Sequence, residues 1–210
     1  MIACVEPSIK SGFLEFGVCT RALPGESESG DLHLIAPFPK GVLIAVVDGL
    51  GHGCEAAVAA RAATASLRSC PQGPLTDLVQ RCHAALQKTR GVVLGIASID
   101  ADRDQLSWLG VGNVEGVLLR ADPTARPSRE VLPHRGGVLG YQMPPLRMNT
   151  VPVACGDTLV FATDGIESSF PIESPATCDP QTLADDIVRR HGKQTDDALV
   201  LVARYIGSLP

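Results

Sequence analysis

Apolar runs broken by turn residues alternate along this chain with stretches of helical spacing, and their order predicts most of its elements. Leu14 to Thr20 reads as a first strand, the loop Arg21 to Gly30 follows, and Leu32 to Ala36 reads as a second strand. Pro39-Lys40-Gly41 then turns the chain into Val42-Leu43-Ile44-Ala45-Val46-Val47, a continuous β-branched run with glycine on both sides. Such a run is the pattern of a strand buried on both faces. The next stretch, Glu55 to Leu67, is an alanine-rich helix whose small side chains let it lie close to the strand before it. A second helix is predicted from Pro74 to Gln87, where Leu75, Leu78, Val79, Cys82 and Leu86 recur at helical spacing and Pro74 suits the first turn. His83 lies beside that apolar stripe and reads as a satisfied, partly buried histidine.

From Val92 onward the period shortens. Strands are predicted at Val92 to Ile99, Gln105 to Leu109, Val114 to Arg120, Glu130 to Leu132, Met148 to Val153 and Thr158 to Ala162. Strand follows strand with no helix between, which implies antiparallel pairing in a meander. Trp108 reads as a core residue, and Asp100-Ala101-Asp102-Arg103-Asp104 as a hairpin turn, since it lacks the glycine and distal glutamate of a calcium loop. After a proline-bearing loop from Phe170 to Cys178, a helix is predicted from Pro180 to Arg190, capped by Asp179 and stopped by Gly192. Ala198 to Tyr205 closes the chain as another strongly apolar strand.

The 210 residues suffice for one sizeable core, and no linker-like stretch divides them, so a single domain spanning 1–210 is expected. The net charge of −5 is dispersed, which argues against nucleic acid as a partner. No apolar stretch reaches the roughly 18 residues of a membrane span, and no basic segment leads into an apolar one at the N-terminus. A cytoplasmic protein is expected. Seven scattered cysteines without a Cys-x-x-Cys pair read as small apolar residues or free thiols, and Cys54 as a packing residue.

Chemistry enters where the apolar runs stop. Asp48 ends the buried strand and is followed by Gly49-Leu50-Gly51-His52-Gly53, and Asp164-Gly165 ends Thr158 to Ala162 in the same way. Asp31 precedes the second strand, and Asp196-Asp197 the last. A glycine turn between strand and helix also suits a nucleotide, but the dinucleotide fingerprint wants glycine where Cys54 stands, and no Lys-Ser or Lys-Thr pair is present for a triphosphate. Acids at strand mouths hold cations or protons rather than stabilise a core. Several aspartates with glycine-exposed carbonyls are the donor set of hard divalent ions, and a site with this many acids is expected to take two.

Ser29-Gly30-Asp31, Asp48-Gly49-Leu50-Gly51-His52-Gly53, Thr163-Asp164-Gly165 and Thr195-Asp196-Asp197 fall in the order of the motifs of metal-dependent protein serine/threonine phosphatases of type 2C (PPM). The chain resembles their bacterial SpoIIE-like branch, closest to the RsbX stress-regulator phosphatases, over nearly its whole length. The resemblance implies an α+β fold, a four-layer αββα sandwich of two mainly antiparallel sheets flanked on both sides by paired helices. It implies two manganese or magnesium ions held by Asp31, Asp48, the Gly49 carbonyl, Asp164 and Asp196, with Asp48 bridging the ions and Asp197 orienting its neighbour. Asp48, Asp164 and Asp196 then carry catalysis, in which a metal-bound hydroxide attacks phosphorus. Arg21 is the candidate for gripping the phosphate. Leu50 separates Gly49 from His52, so the acid role of a histidine directly after Asp-Gly is not assigned to His52. The implied partners are phosphorylated regulatory proteins, STAS-domain components of a stress-signalling complex, acted on by a monomer. A silent phosphoprotein-binding module of the same fold and a two-metal hydrolase of small phosphate esters are the alternatives.

Overall fold

A computed structural model describes residues 9–168, 170–172 and 178–207. In chain order the elements are β1 (Ile9–Ser11), β2 (Leu14–Arg21), β3 (Asp31–Phe38), β4 (Gly41–Gly49), α1 (Gly53–Arg68), α2 (Leu75–Ala85) and β5 (Val92–Asp100). They continue with β6 (Gln105–Val111), β7 (Glu115–Leu119), β8 (Arg129–Leu132), β9 (Asn149–Pro152), β10 (Thr158–Ala162), α3 (Pro180–His191) and β11 (Ala198–Tyr205). One sheet has the order β1-β2-β11-β10-β7-β8, the other β3-β4-β5-β6-β9. Every ladder is antiparallel.

Alternation along the central strands explains the continuous apolar runs. In β4, Val42, Ile44 and Val46 point into the core between the sheets, while Leu43, Ala45 and Val47 face α1 and α2. In β11, Leu199, Leu201, Ala203 and Tyr205 enter the same inter-sheet core, and Ala198, Val200 and Val202 face α3. Both strands are therefore covered on two sides, and a side chain exposed on neither face has no reason to be polar. The layers run α1/α2, sheet, sheet, α3. This is the four-layer αββα arrangement, although only one helix, α3, covers the second sheet among the described residues, where the resemblance implies a pair; Ser169 and residues 173–177 lie outside the described chain.

The two outer layers adhere differently. On α2, Leu75, Leu78, Val79, Cys82 and Leu86 are buried, and each leucine is worth about 1.5–3 kcal/mol. The buried face of α1 is almost all alanine, Ala56, Ala57, Ala59, Ala60 and Ala63, so it gains closeness more than apolar area. At Gly49 the approach is so tight that a Cβ would lie 2.2 Å from the Ala56 carbonyl oxygen. Asp179 caps α3 through the Thr182 amide at 3.0 Å.

Differences from the sequence reading are local, apart from connectivity. β1 was not predicted, Pro74 occupies the cap of α2 rather than its first turn, and β3 begins at Asp31 itself. The strands after β5 are antiparallel as expected but do not form a meander: β7 and β8 join one sheet, β9 the other, and β10 returns to the first. Cys54 is exposed, so packing is not its role; among the described residues Cys19 and Cys82 are the buried thiols. Trp108 is in the core, and His83 accepts the Gly140 amide at 3.0 Å. No helix among the described residues is long and apolar enough to cross a membrane.

Candidate active site

Antiparallel pairing places the start of one strand beside the end of its neighbour, and this rule gathers the acids. Asp31 at the start of β3 lies directly opposite Asp48 near the end of β4. In the other sheet β10 ends beside the start of β11, with Ala162 opposite Val200, and β11 starts opposite the end of β2, with Ala198 opposite Arg21. Asp164 and Asp196-Asp197 therefore emerge together. A Cβ on Gly165 would fall 1.8 Å from the Asp197 carbonyl oxygen, so only glycine permits that approach. The two sheets are joined at this edge by Thr163, whose hydroxyl donates to Asp31 Oδ2 at 2.7 Å and accepts the Leu199 amide at 2.8 Å.

Exposure rises across the cluster. Asp31 and Asp197 are each 2% exposed, while Asp48, Asp164 and Asp196 are half-buried. Asp197 is committed to structure: its two carboxylate oxygens accept the amides of Leu23 and Gly30, both at 2.7 Å, and pin the 21–30 loop against β11. Its own backbone amide donates to Asp196 Oδ1 at 2.9 Å. Asn113, just before β7, donates to Asp164 Oδ2 at 2.8 Å.

The remaining carboxylates repel. Burial first, and then Asp164, Asp196 and Asp197, push Asp48 up to about 8. Burial and then Asp48 hold Asp31 well above the usual carboxylate range, against the lowering effect of the Thr163 hydroxyl. Asp196 is raised by burial, with Asp164 and Asp197 adding to it, while the Asp197 amide opposes the shift. The Lys193 ammonium donates to the Asp164 carbonyl at 2.7 Å rather than to a carboxylate.

This donor set is all oxygen, which suits magnesium or manganese and not softer ions. Among the described residues no group of three or more aspartate, glutamate, histidine or cysteine side chains is placed to hold a metal ion. Magnesium does not require one, because it keeps several waters and uses one or two carboxylates per ion. Uncompensated, half-buried carboxylates that raise one another's proton affinity are what such an ion would relieve, so the residues fit the group.

Arg21 does not project as a free guanidinium: it donates to the Lys193 carbonyl, and its Nε is buried without a partner. His52 faces Glu26, Nδ1 to Oε1, at 2.6 Å. The sequence reading missed Asn113, Thr163 and Lys193 as parts of the site. Thr163 had a signal, since it stands immediately before Asp164-Gly165 at the end of an apolar run, and Asn113 lay in Gly110-Val111-Gly112-Asn113-Val114, a stretch within the resemblance to which no role was attached; Lys193 had none. A cavity of 290 Å³ opens beside the acids, lined by Asn113, Glu115, His134, Thr163, Asp164 and Ser168 among others.

Comparison with known proteins places this geometry. Residues 39–206 match the sequence family of stage II sporulation protein E, SpoIIE. The phosphoserine phosphatase RsbX of Bacillus subtilis (strain 168) is 27% identical over 142 residues, covering 68% of this chain and 69% of that protein. A chain from a structure of the bacterial stressosome, described as a modular system adapted to control secondary messenger signalling, superposes with a TM-score of 0.84 at 33% identity, covering 91% of this chain and 99% of that one. RsbX in complex with magnesium superposes with a TM-score of 0.81 at 20% identity over 94% of this chain and 98% of the other, a likeness of fold.

Proposed function

This chain belongs to the SpoIIE family, and from that premise we propose that the acid-lined edge of its sandwich hydrolyses phosphoserine or phosphothreonine in regulatory proteins, foremost STAS-domain components of a stress-signalling complex. The chain is a protein serine/threonine phosphatase of the type 2C kind, related to RsbX and SpoIIE. The observation that carries the finer reading is the meeting of Asp31, Asp48, Asp164 and Asp196 at one edge with their charges unrelieved. Asp48, the Gly49 carbonyl and Asp31 would hold one divalent ion, and Asp164 and Asp196 with Asp48 a second. Such ions supply positive charge to phosphoryl oxygens and make water a nucleophile at neutral pH.

The chain's own residues do the positioning. Thr163 fixes the Asp31 carboxylate, Asn113 fixes that of Asp164, and Asp197 keeps the 21–30 loop folded beside them. Arg21 steadies the Lys193 segment through the bond from its guanidinium to the Lys193 carbonyl. His52 and Glu26 form a paired acid and base on the loop side of the cluster, close enough for His52 to ease the raised proton affinity of Asp196.

The test is hydrolysis of p-nitrophenyl phosphate with and without manganese by the parent, Asp48→Ala and Asp164→Asn, each checked for folding by circular dichroism. Metal-dependent turnover that both substitutions abolish is expected. Equal turnover in the variants refutes the assigned site. Phosphorylated STAS proteins compared with small esters then test the substrate, and a parent that prefers the small esters refutes that part of the proposal.

A further inference from the structure

Beside the small cavity at the acids lies a larger, groove-like one of 690 Å³, and His134 lines both. The larger cavity is walled by Pro133, Pro144 and Pro145, and its polar side chains are Arg135, Arg147 and Asn149 besides His134. Arg135 and Arg147 are exposed, and among the described residues neither guanidinium has a hydrogen bond or ion pair. In a chain of net charge −5, with Glu115 and Asp164 lining the neighbouring cavity, two arginines without ion pairs lining one cavity are a local reversal of sign.

The arginines are also held in place. The Arg135 amide donates to the Gly110 carbonyl at 3.1 Å, and its carbonyl accepts the Gly112 amide at 2.7 Å, so its backbone is tied to β6 at both groups while the side chain is left free. Arg147 follows Pro144-Pro145 with Leu146 between, so the segment that carries it is stiffened by two fixed φ angles. Tyr141, 85% exposed, tips the turn closed by Val138 and Gln142 on the same excursion between β8 and β9. Arginine and tyrosine are the residue types that most often carry binding energy at protein interfaces.

Resting on the phosphatase reading above, we infer that this groove seats the acidic residues flanking the phosphorylated side chain of the substrate protein, with Arg135 and Arg147 as the residues that select for negative charge. The arginines line the larger cavity and not the smaller one that contains Asp164, so they meet the flanking sequence and not the phosphoryl group. Specificity of this kind acts through encounter and is weakened by salt.

The experiment uses the full chain and the double variant Arg135→Glu/Arg147→Glu with three substrates: p-nitrophenyl phosphate, a phosphoserine peptide flanked by Asp and Glu, and the same peptide flanked by Asn and Gln. The parent is expected to prefer the acidic peptide about tenfold in kcat/KM, the scale of two partly exposed arginine–carboxylate pairs. The double variant loses that preference while its aryl phosphate turnover is unchanged. No preference in the parent, or one that survives the double substitution, overturns the inference. A parent that hydrolyses none of the three overturns the phosphatase reading instead. The groove is then judged by fluorescence anisotropy of the labelled acidic peptide in EDTA: tighter binding to the parent than to the variant supports it, and equal binding overturns it.

Discussion

Replacing Asp48 with asparagine should make the metal-free protein more stable while removing its response to metal. In the fold Asp48 holds its proton up to about pH 8, because burial and the nearby Asp164, Asp196 and Asp197 disfavour the charge. In the unfolded chain it releases that proton near the ordinary carboxylate value of 3.8. Between those two values the native state binds more protons than the unfolded one, so stability falls as pH rises through this window and levels off above it. A shift of about four pH units corresponds to a ceiling of about 6 kcal/mol at 1.36 kcal/mol per unit. Asp164 and Asp196 are partly open to solvent, which screens the repulsion, and about 2–3 kcal/mol is the expected gain for the asparagine variant at pH 8. For a chain of this length that is about 5–10 °C in Tm. Thermal unfolding in EDTA at pH 5, 6.5 and 8 measures it: the parent Tm should fall with pH, and the variant should lose most of that slope. Manganese should raise the parent Tm, more at pH 8 than at pH 5, and leave the variant nearly unmoved. A variant that melts at or below the parent in EDTA at pH 8 would refute the reasoning, because Asp48 would then be a satisfied structural carboxylate.

Two further substitutions probe the supports of the cluster. Thr163→Val keeps the shape but removes both the donor to Asp31 and the acceptor of the Leu199 amide, at a cost of about 1–3 kcal/mol for buried groups left without partners; calorimetric titration should show weaker manganese binding, and unchanged affinity would count against the role of Thr163. Asp197→Ala strips the Leu23 and Gly30 amides of their acceptor, and although it relieves some repulsion it should destabilise by about 2 kcal/mol in urea unfolding and expose the 21–30 loop to a Glu-specific protease.

How much of this was readable beforehand depends on what an apolar pattern encodes. The run at Val42–Val47 identified a strand covered on both faces, because two-sided burial removes alternation, and Ala198–Tyr205 a strongly apolar one; the structure supplies a separate core for each face of both. The acids stood out by interrupting such runs. Which sheet a strand joins leaves no trace in its own residues, so β7 to β10 read as a meander although they alternate between sheets. Lys193 was invisible for a related reason, since it acts through an ammonium on a backbone carbonyl, and Asn113 stood in a glycine-flanked turn whose partner, Asp164, is distant in sequence. Cys54 misled because a small residue near an alanine-rich helix invites a packing role, and its place on the exposed side follows only from how α1 is rotated.

The glycines after Asp48 and Asp164 invited a reading in which bare backbone is offered to an ion. Their first duty is steric: Gly49 admits the Ala56 carbonyl of α1, and Gly165 admits the Asp197 carbonyl at the start of β11. Those two approaches carry the acid on each strand end into the company of the others, so the Asp-Gly pair works as one unit, with the carboxylate supplying charge and the glycine closing the distance. The proximity that makes the cluster unfavourable without a counter-ion therefore comes from the same contacts that close the sandwich edge. The fold cannot relax the repulsion without opening that edge, and a divalent cation can relieve it in place.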